Sequence, residues 1–360
     1  MIFLFYVYLF AVDLVFCRDH QIYEYNNVKV INTAENDTTI RCGHPFNGLD
    51  NFTLPVRKLP VKNDIKFLGC IMPHNFNISK FMDDLEIPVN KLTFQQSYAI
   101  TKHNIIGLKS LRHLCILSGT DNLLSDLLEN VPDLEQLSMD FIDDIPDNFF
   151  KYSTKLKKLE ILNSNLQTLK KEKFDGLINL SLLKLNFNFD AIDVEDNIFD
   201  SLTSLKLLEI SYKTLINLPG GSLRNLTKLE SVNIFFDNAD LNAVSYYNHY
   251  QLTNSSNNLK LPNKLFANFK SMKALSLKLI GSIELREDIF NYNFETLHNL
   301  SISGYEGVTL PEKIFDSTRN VKVLQITNNS LESLPSNIFK NLHKLEVLDL
   351  SCNKLTNLHL

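Results

Sequence analysis

The stretch LEVLDLSCNKL, residues 345–355, sets the pattern for most of the chain. Apolar residues stand at its positions 1, 4, 6 and 11 (Leu345, Leu348, Leu350 and Leu355), and Asn353 stands at position 9. This is LxxLxLxxNxL, the leucine-rich repeat signature. Leucines two residues apart face one side of a short strand. The Asn side chain at the following bend bonds backbone groups that the turn leaves unpaired. A single unit cannot bury its own apolar face, so neighbours must stack.

The LxxLxL half recurs upstream. It starts at Val89, Leu111, Leu134, Leu156, Leu180, Leu205, Leu229, Met272, Leu297 and Val321, which with Leu345 makes eleven starts. Their spacing is 22 to 25 residues, apart from 43 between Leu229 and Met272. A period near 24 lies inside the leucine-rich repeat range and outside the helical repeat families. A second mark keeps the same register. Phe150, Phe174, Phe199, Phe266, Phe290, Phe315 and Phe339 each lie six or seven residues before the next start, and Leu128 and Leu223 take that place elsewhere. Ile145-Pro146, Leu218-Pro219, Leu261-Pro262, Leu310-Pro311 and Leu334-Pro335 precede the aromatic position. Proline suits an extended segment that needs no ladder hydrogen bond. The expected fold is an α/β-type solenoid, a leucine-rich-repeat horseshoe. It has one short parallel strand per repeat on the concave face, irregular or short helical convex segments, and a disulfide-closed N-terminal cap.

Working outward, residues 1–17 (MIFLFYVYLFAVDLVFC) form an apolar run with one charge, Asp13. Val15 and Cys17 suit the small positions of a cleavage site, so the run is expected to be a secretory signal peptide. An uncleaved anchor is the alternative. Residues 18–88 lack the repeat template and are expected to form a cap over the first apolar layer. In an oxidising compartment a disulfide between Cys42 and Cys70 would close it; two free thiols are the alternative. Cys115 and Cys352 lie nine repeats apart, far beyond disulfide reach at ~4.8 Å per strand. Cys352 is expected to be half-buried.

Repeats then fill residues 89–360. Position 9 holds Asn only at Asn188, Asn329 and Asn353. Elsewhere it is Ser97, Gly119, Ile142, Ser164, Lys213, Asp237, Ile280 or Tyr305. The asparagine ladder is therefore expected to be broken over much of the array. The long spacing implies an insertion near residues 237–258, with Tyr246, Tyr247, His249 and Tyr250, read either as a tolerated loop or as a ligand-contacting one. No cysteine-bearing cap follows Leu358. Either the chain is the front part of a longer one or a partner covers that end. Apart from the leader no stretch of 18 apolar residues occurs, so no transmembrane helix is expected.

A net charge of −5 over 360 residues, with no basic block, gives no reason to expect nucleic acid as a partner. No catalytic or metal-ligand motif appears, so neither an enzyme nor a cofactor is expected. Acidic pairs such as Asp143-Asp144 fall in turns and are expected to be solvated. N-glycosylation triplets begin at Asn36, Asn51, Asn77, Asn179, Asn225, Asn254, Asn299 and Asn328. Asn299 is position 3 of its strand, where a glycan would obstruct part of the concave surface. That surface is the candidate ligand site. Its outward positions carry Phe141, Phe187, Tyr212 and Phe236 at position 8, near Lys158, Glu160, Lys184 and Glu209. Rigid aromatics among charges are what protein interfaces favour. The alternative is that position 8 packs along a half-buried rim.

The chain resembles the N-terminal part of insect Toll receptor ectodomains. The resemblance rests on IKFLGCIMP (residues 65–73), LEIPVNKLTF (85–94), the LPxxIF pattern at 310–315 and 334–339, and LDLSCNKL (348–355). It implies an extracellular protein ligand, a dimeric cystine-knot cytokine of the Spätzle type. The ligand would be bound by the cap and early repeats, and receptors brought together by it would signal in immunity or development. Such a chain would be secreted, or would be the ectodomain of a plasma-membrane receptor continuing past residue 360. A structural or adhesive extracellular protein that self-associates is the alternative from another class.

Overall fold

The computed structural model describes residues 21–25, 28–32, 37–42, 63–72, 74–83, 88–117, 123–164, 166, 168–187, 193–219, 221–235, 266, 271–279, 283–291, 294–304 and 308–356. The leader, the insertion, Phe236, Asn36, Asn51 and Asn254 lie outside them. The chain divides into two compact units, Met1–Leu137 and Ser138–Leu360, and the division falls inside strand β7 (Gln136–Asp140).

The first unit opens with β1 (Gln21–Tyr25), β2 (Val28–Asn32) and β3 (Asp37–Cys42), paired antiparallel in succession. From β3 the pairing turns parallel, through β4 (Asp64–Leu68) and β5 (Lys91–Gln95) to β6 (His113–Leu117). Short helices α1 (Ile78–Asp83) and α2 (Lys102–Ile105) lie between strands. Ile40, Ile65, Phe67, Leu92, Phe94, Leu114 and Ile116 alternate into the core, as period-2 patterning requires. Phe67 stacks on Phe94 with ring centroids 5.7 Å apart. Cys42 and Cys70 form the expected disulfide, with Cα atoms 5.3 Å apart. Ile65 and Phe67 lie on β4; the antiparallel strands before it carry no repeat template, and periodicity could not find them.

The second unit is the regular solenoid. Its main strands are β8 (Lys158–Ser164), β10 (Leu182–Phe187), β12 (Leu207–Ser211), β13 (Ser231–Phe235), β14 (Ala274–Leu279), β16 (Asn299–Gly304), β18 (Val323–Thr327) and β19 (Val347–Asp349). Each pairs in parallel with the next. Two-residue strands β9 (Thr168–Leu169), β11 (Asp193–Val194), β15 (Ile283–Glu284) and β17 (Val308–Thr309) make separate convex pairs, and α3 (Tyr212–Ile216) follows β12. Positions 4 and 6 point inward and are buried from Leu159 with Ile161, Leu183 with Leu185 and Leu208 with Ile210 through to Leu324 with Ile326, while Leu348 and Leu350 of the last repeat are half-buried. The predicted Phe column forms behind them. Phe150–Phe174, Phe174–Phe199, Phe290–Phe315 and Phe315–Phe339 are neighbours at 6.4, 5.5, 6.3 and 6.3 Å. Lys173 is buried in this convex region, and its ammonium bonds Asp144 Oδ1 at 2.7 Å and the carbonyl of Ile145. Asp144 keeps 61% of its side-chain exposure, as expected of an acid in a turn, and is an ion-pair partner of the buried Lys173 as well.

The ladder at the bends needs a second correction. Asn353 does what the signature predicts: its amide donates to the carbonyls of Ile326 and Leu350 at 2.6 and 2.8 Å, and its oxygen accepts from the Asn329 and Leu331 amides. At three of the bends that lack Asn, hydroxyls take the part. Ser97 Oγ accepts from the Cys70 amide at 3.2 Å and lies 3.2 Å from the Phe67 carbonyl. Ser164 Oγ accepts from the Ile142 amide at 3.2 Å and donates to the Leu162 carbonyl at 2.8 Å. In the sixth repeat the residue is Thr214, not Lys213: its Oγ1 accepts from the Phe187 amide at 3.0 Å. A buried amide must find an acceptor, and any short polar side chain at the right depth serves.

Candidate functional site

In the second unit the outward positions of β8, β10 and β12 hold charges in register. Lys184 stands opposite Glu160 on one side and Glu209 on the other. Lys158 pairs with Glu160 at 3.0 Å, and Lys184 with Glu209 at 3.3 Å. Ser138 Oγ donates to Glu160 at 2.6 Å, and Lys184 Nζ lies 5.4 Å from the Phe235 ring centroid. Burial alone would raise the Glu160 carboxyl, but hydrogen bonds from Ser138 and Lys158 outweigh it and hold the group below its ordinary range. Glu160 and Glu209 retain 20% and 25% of side-chain exposure, so the row is half desolvated before any partner arrives. At the start of the strands a second row runs along position 2. Glu230 meets Lys273 at 2.9 Å and Lys206 at 3.9 Å, and the bond from Lys273 lowers its carboxyl.

Position 8 divides into two kinds. Phe141, Asn163, Asn328, Cys352 and Gln96 all have positive φ, between 46° and 58°. This left-handed turn suits Asn and costs an ordinary side chain about 1–2 kcal/mol. It turns the side chain outward, which is why Phe141 is 54% exposed and why Cys352 is exposed and not half-buried. An aromatic held outward in a strained turn gains little from the fold, which makes Phe141 the strongest of the aromatic candidates.

Phe187 and Tyr212 are corrections. The pairing of β10 with β8 shifts between Leu185 and Phe187, so Phe187 lies opposite Ser164 and points inward, 1% exposed. A one-residue slip exchanges the faces of a strand. Tyr212 opens α3, capped by Ser211, and its ring turns into the core, where burial raises the phenol to about 12. Neither offers a ring to a partner. Phe236 lies outside the described residues. The sequence reading missed Ser138, Phe235 and Lys273 as parts of this surface. Ser138 and Phe235 were findable as positions 5 and 7 of their repeats, Lys273 as position 2.

Of the described sequon asparagines, Asn179, Asn225, Asn299 and Asn328 are exposed. Asn77 is partly buried; its Oδ1 accepts from the Lys80 amide at 2.8 Å. Among the described residues no helix is long and apolar enough to cross a membrane.

Comparison with known proteins agrees with this architecture. A leucine rich repeat model matches residues 319–360, and a BspA type leucine rich repeat region model (6 copies) matches residues 122–253. Human Toll-like receptor 8 is 24% identical over 288 residues, covering 65% of this chain; the chain spans about a quarter (26%) of that relative. A structure of the Drosophila Toll–Spätzle complex aligns with TM-score 0.59 at 19% identity, over 95% of this chain and 48% of that one. A TLR13–ssRNA13 complex aligns with TM-score 0.51 at 18% identity, over 82% of this chain and 48% of that one.

Proposed function

We propose that this chain is the ligand-binding ectodomain of a Toll-type receptor and that it holds an extracellular protein through the outward charges of β8, β10 and β12 and Phe141. The observation that carries the reading is the alternating row Lys158, Glu160, Lys184 and Glu209, half desolvated and laid out on a rigid parallel sheet. Exposed ion pairs contribute only about 0–1 kcal/mol each to a fold. A row of this kind does more for partner choice and association rate. Its alternating sign suits a protein surface of complementary pattern; a nucleic acid would call for a continuous basic stripe. The similarity to Toll-like receptor 8 and to Toll in complex with Spätzle supports a receptor role and a protein ligand. The Cys42–Cys70 bridge supports an oxidising compartment. A dimeric cystine-knot cytokine is the ligand class that the resemblance to insect Toll receptors adds.

The test is direct binding of the secreted chain to cystine-knot cytokines of its own organism. Lys184→Glu should weaken binding tenfold or more, with most of the change in association rate at low salt. Phe141→Ala should weaken it without lowering thermal stability. Absence of binding at micromolar ligand, together with a stable homodimer in sedimentation, would favour the self-associating alternative.

A further inference from the structure

Past β12 the open face of the second unit changes character. The charged row of positions 3 and 5 gives way to Ser231 and Asn233 on β13, Ala274 and Ser276 on β14, and Asn299 and Ser301 on β16. Asn299 begins the triplet Asn299-Leu300-Ser301, and it sits on a strand paired on both sides, opposite Ala274 and Val323. Its side chain is exposed while Leu300 and Ile302 on either side of Ser301 are buried. Adjacent strands lie only ~4.8 Å apart, so a sugar on a mid-sheet Asn needs small neighbours. Ala274 supplies that room on one flank, and Ser276 and Ser301 keep the floor low and uncharged beside it. The other sequons differ in setting. Asn179 donates its amide to the Thr154 carbonyl at 2.9 Å and Asn225 to Asp200 at 2.7 Å, both off the strands.

We propose that Asn299 carries an N-linked glycan whose first sugars lie over the floor formed by Ala274, Ser276 and Ser301. The glycan closes this part of the sheet to proteins and leaves β8 to β13 as the open docking strip. The statement about docking rests on the function proposed above; the statement about the glycan does not. The attachment joins the Asn299 side-chain nitrogen to the first sugar of a lipid-linked oligosaccharide donor, with the lipid pyrophosphate leaving and one amide proton released.

The experiment uses the full chain secreted from a eukaryotic host, with no partner present. Glycopeptide mass spectrometry should find Asn299 occupied in most molecules, and Ser301→Ala should remove that glycan alone. Hydroxyl-radical footprinting should show the outward β14 side chains Ala274, Ser276 and Lys278 labelled severalfold more after native deglycosylation, while Val347, two strands away on the other side of Asn299, changes less. A secreted protein unmodified at Asn299 overturns the proposal, as does an occupied Asn299 whose removal leaves the β14 labelling unchanged. Failure to bind any cytokine, before and after deglycosylation, would count against the receptor reading and leave both glycan readouts standing.

Discussion

Replacing Thr214 by valine tests whether hydroxyls stand in for the asparagine ladder. Thr214 is buried, and its Oγ1 is the acceptor for the Phe187 amide at 3.0 Å while lying 2.8 Å from Ser211 Oγ. Valine keeps the shape and volume and removes only the oxygen. The Phe187 N–H would then be buried without a partner, a cost of about 1–3 kcal/mol. At ~1.4 kcal/mol per factor of ten, the local opening equilibrium rises roughly 5- to 140-fold. Hydrogen exchange with peptide resolution reads this directly, because solenoids open locally and amides report their own region. The Phe187 amide should exchange faster by that factor, with the Leu183 and Leu275 amides changing little. Thr214→Ser, which keeps the oxygen, should retain most of the protection. If Thr214→Val leaves Phe187 exchange within twofold of the parent, the hydroxyl is not part of the ladder and the argument fails.

Three further outcomes follow from the same geometry. The Glu160 carboxyl is held below its ordinary range in the fold, so its contribution to stability is present above pH ~4.5 and is lost as pH falls through the lower folded value; Glu160→Gln should lower stability at pH 7 and flatten the acid limb of a denaturation series. Phe315 is buried between Phe290 and Phe339, and Phe315→Ala should cost about 3–5 kcal/mol by denaturant titration, whereas Phe141→Ala should change stability by less than about 0.5 kcal/mol. Removing the Cys42–Cys70 bridge, which spans 28 residues, should cost roughly 3–4 kcal/mol on the chain-entropy account and open the cap to protease before the second unit.

Much of the fold was legible in the sequence because burial repeats with the chain. A leucine at positions 4 and 6 every 24 or so residues can bury itself only on parallel strands stacked in order, and a Phe at a constant offset can pack only behind them. The cap strands β1 to β3 were not legible, since no repeat marks them and their pairing is antiparallel. The candidate site was read only in part. Lys158, Glu160, Lys184 and Glu209 are outward by alternation, and alternation is local. Phe187 and Tyr212 carry the same nominal position as Phe141, yet a register shift and a one-turn helix turned them inward.

The sequence alone determined the period, the strands, the Phe column and the cysteines able to meet, because each follows from spacing along one chain. The tertiary structure decided which short side chains complete the ladder at the bends, which charges pair, and which aromatics remain outside. Those depend on how neighbouring strands lie across a gap of ~4.8 Å, between residues about 24 apart or, for Glu230 and Lys273, 43 apart in the chain.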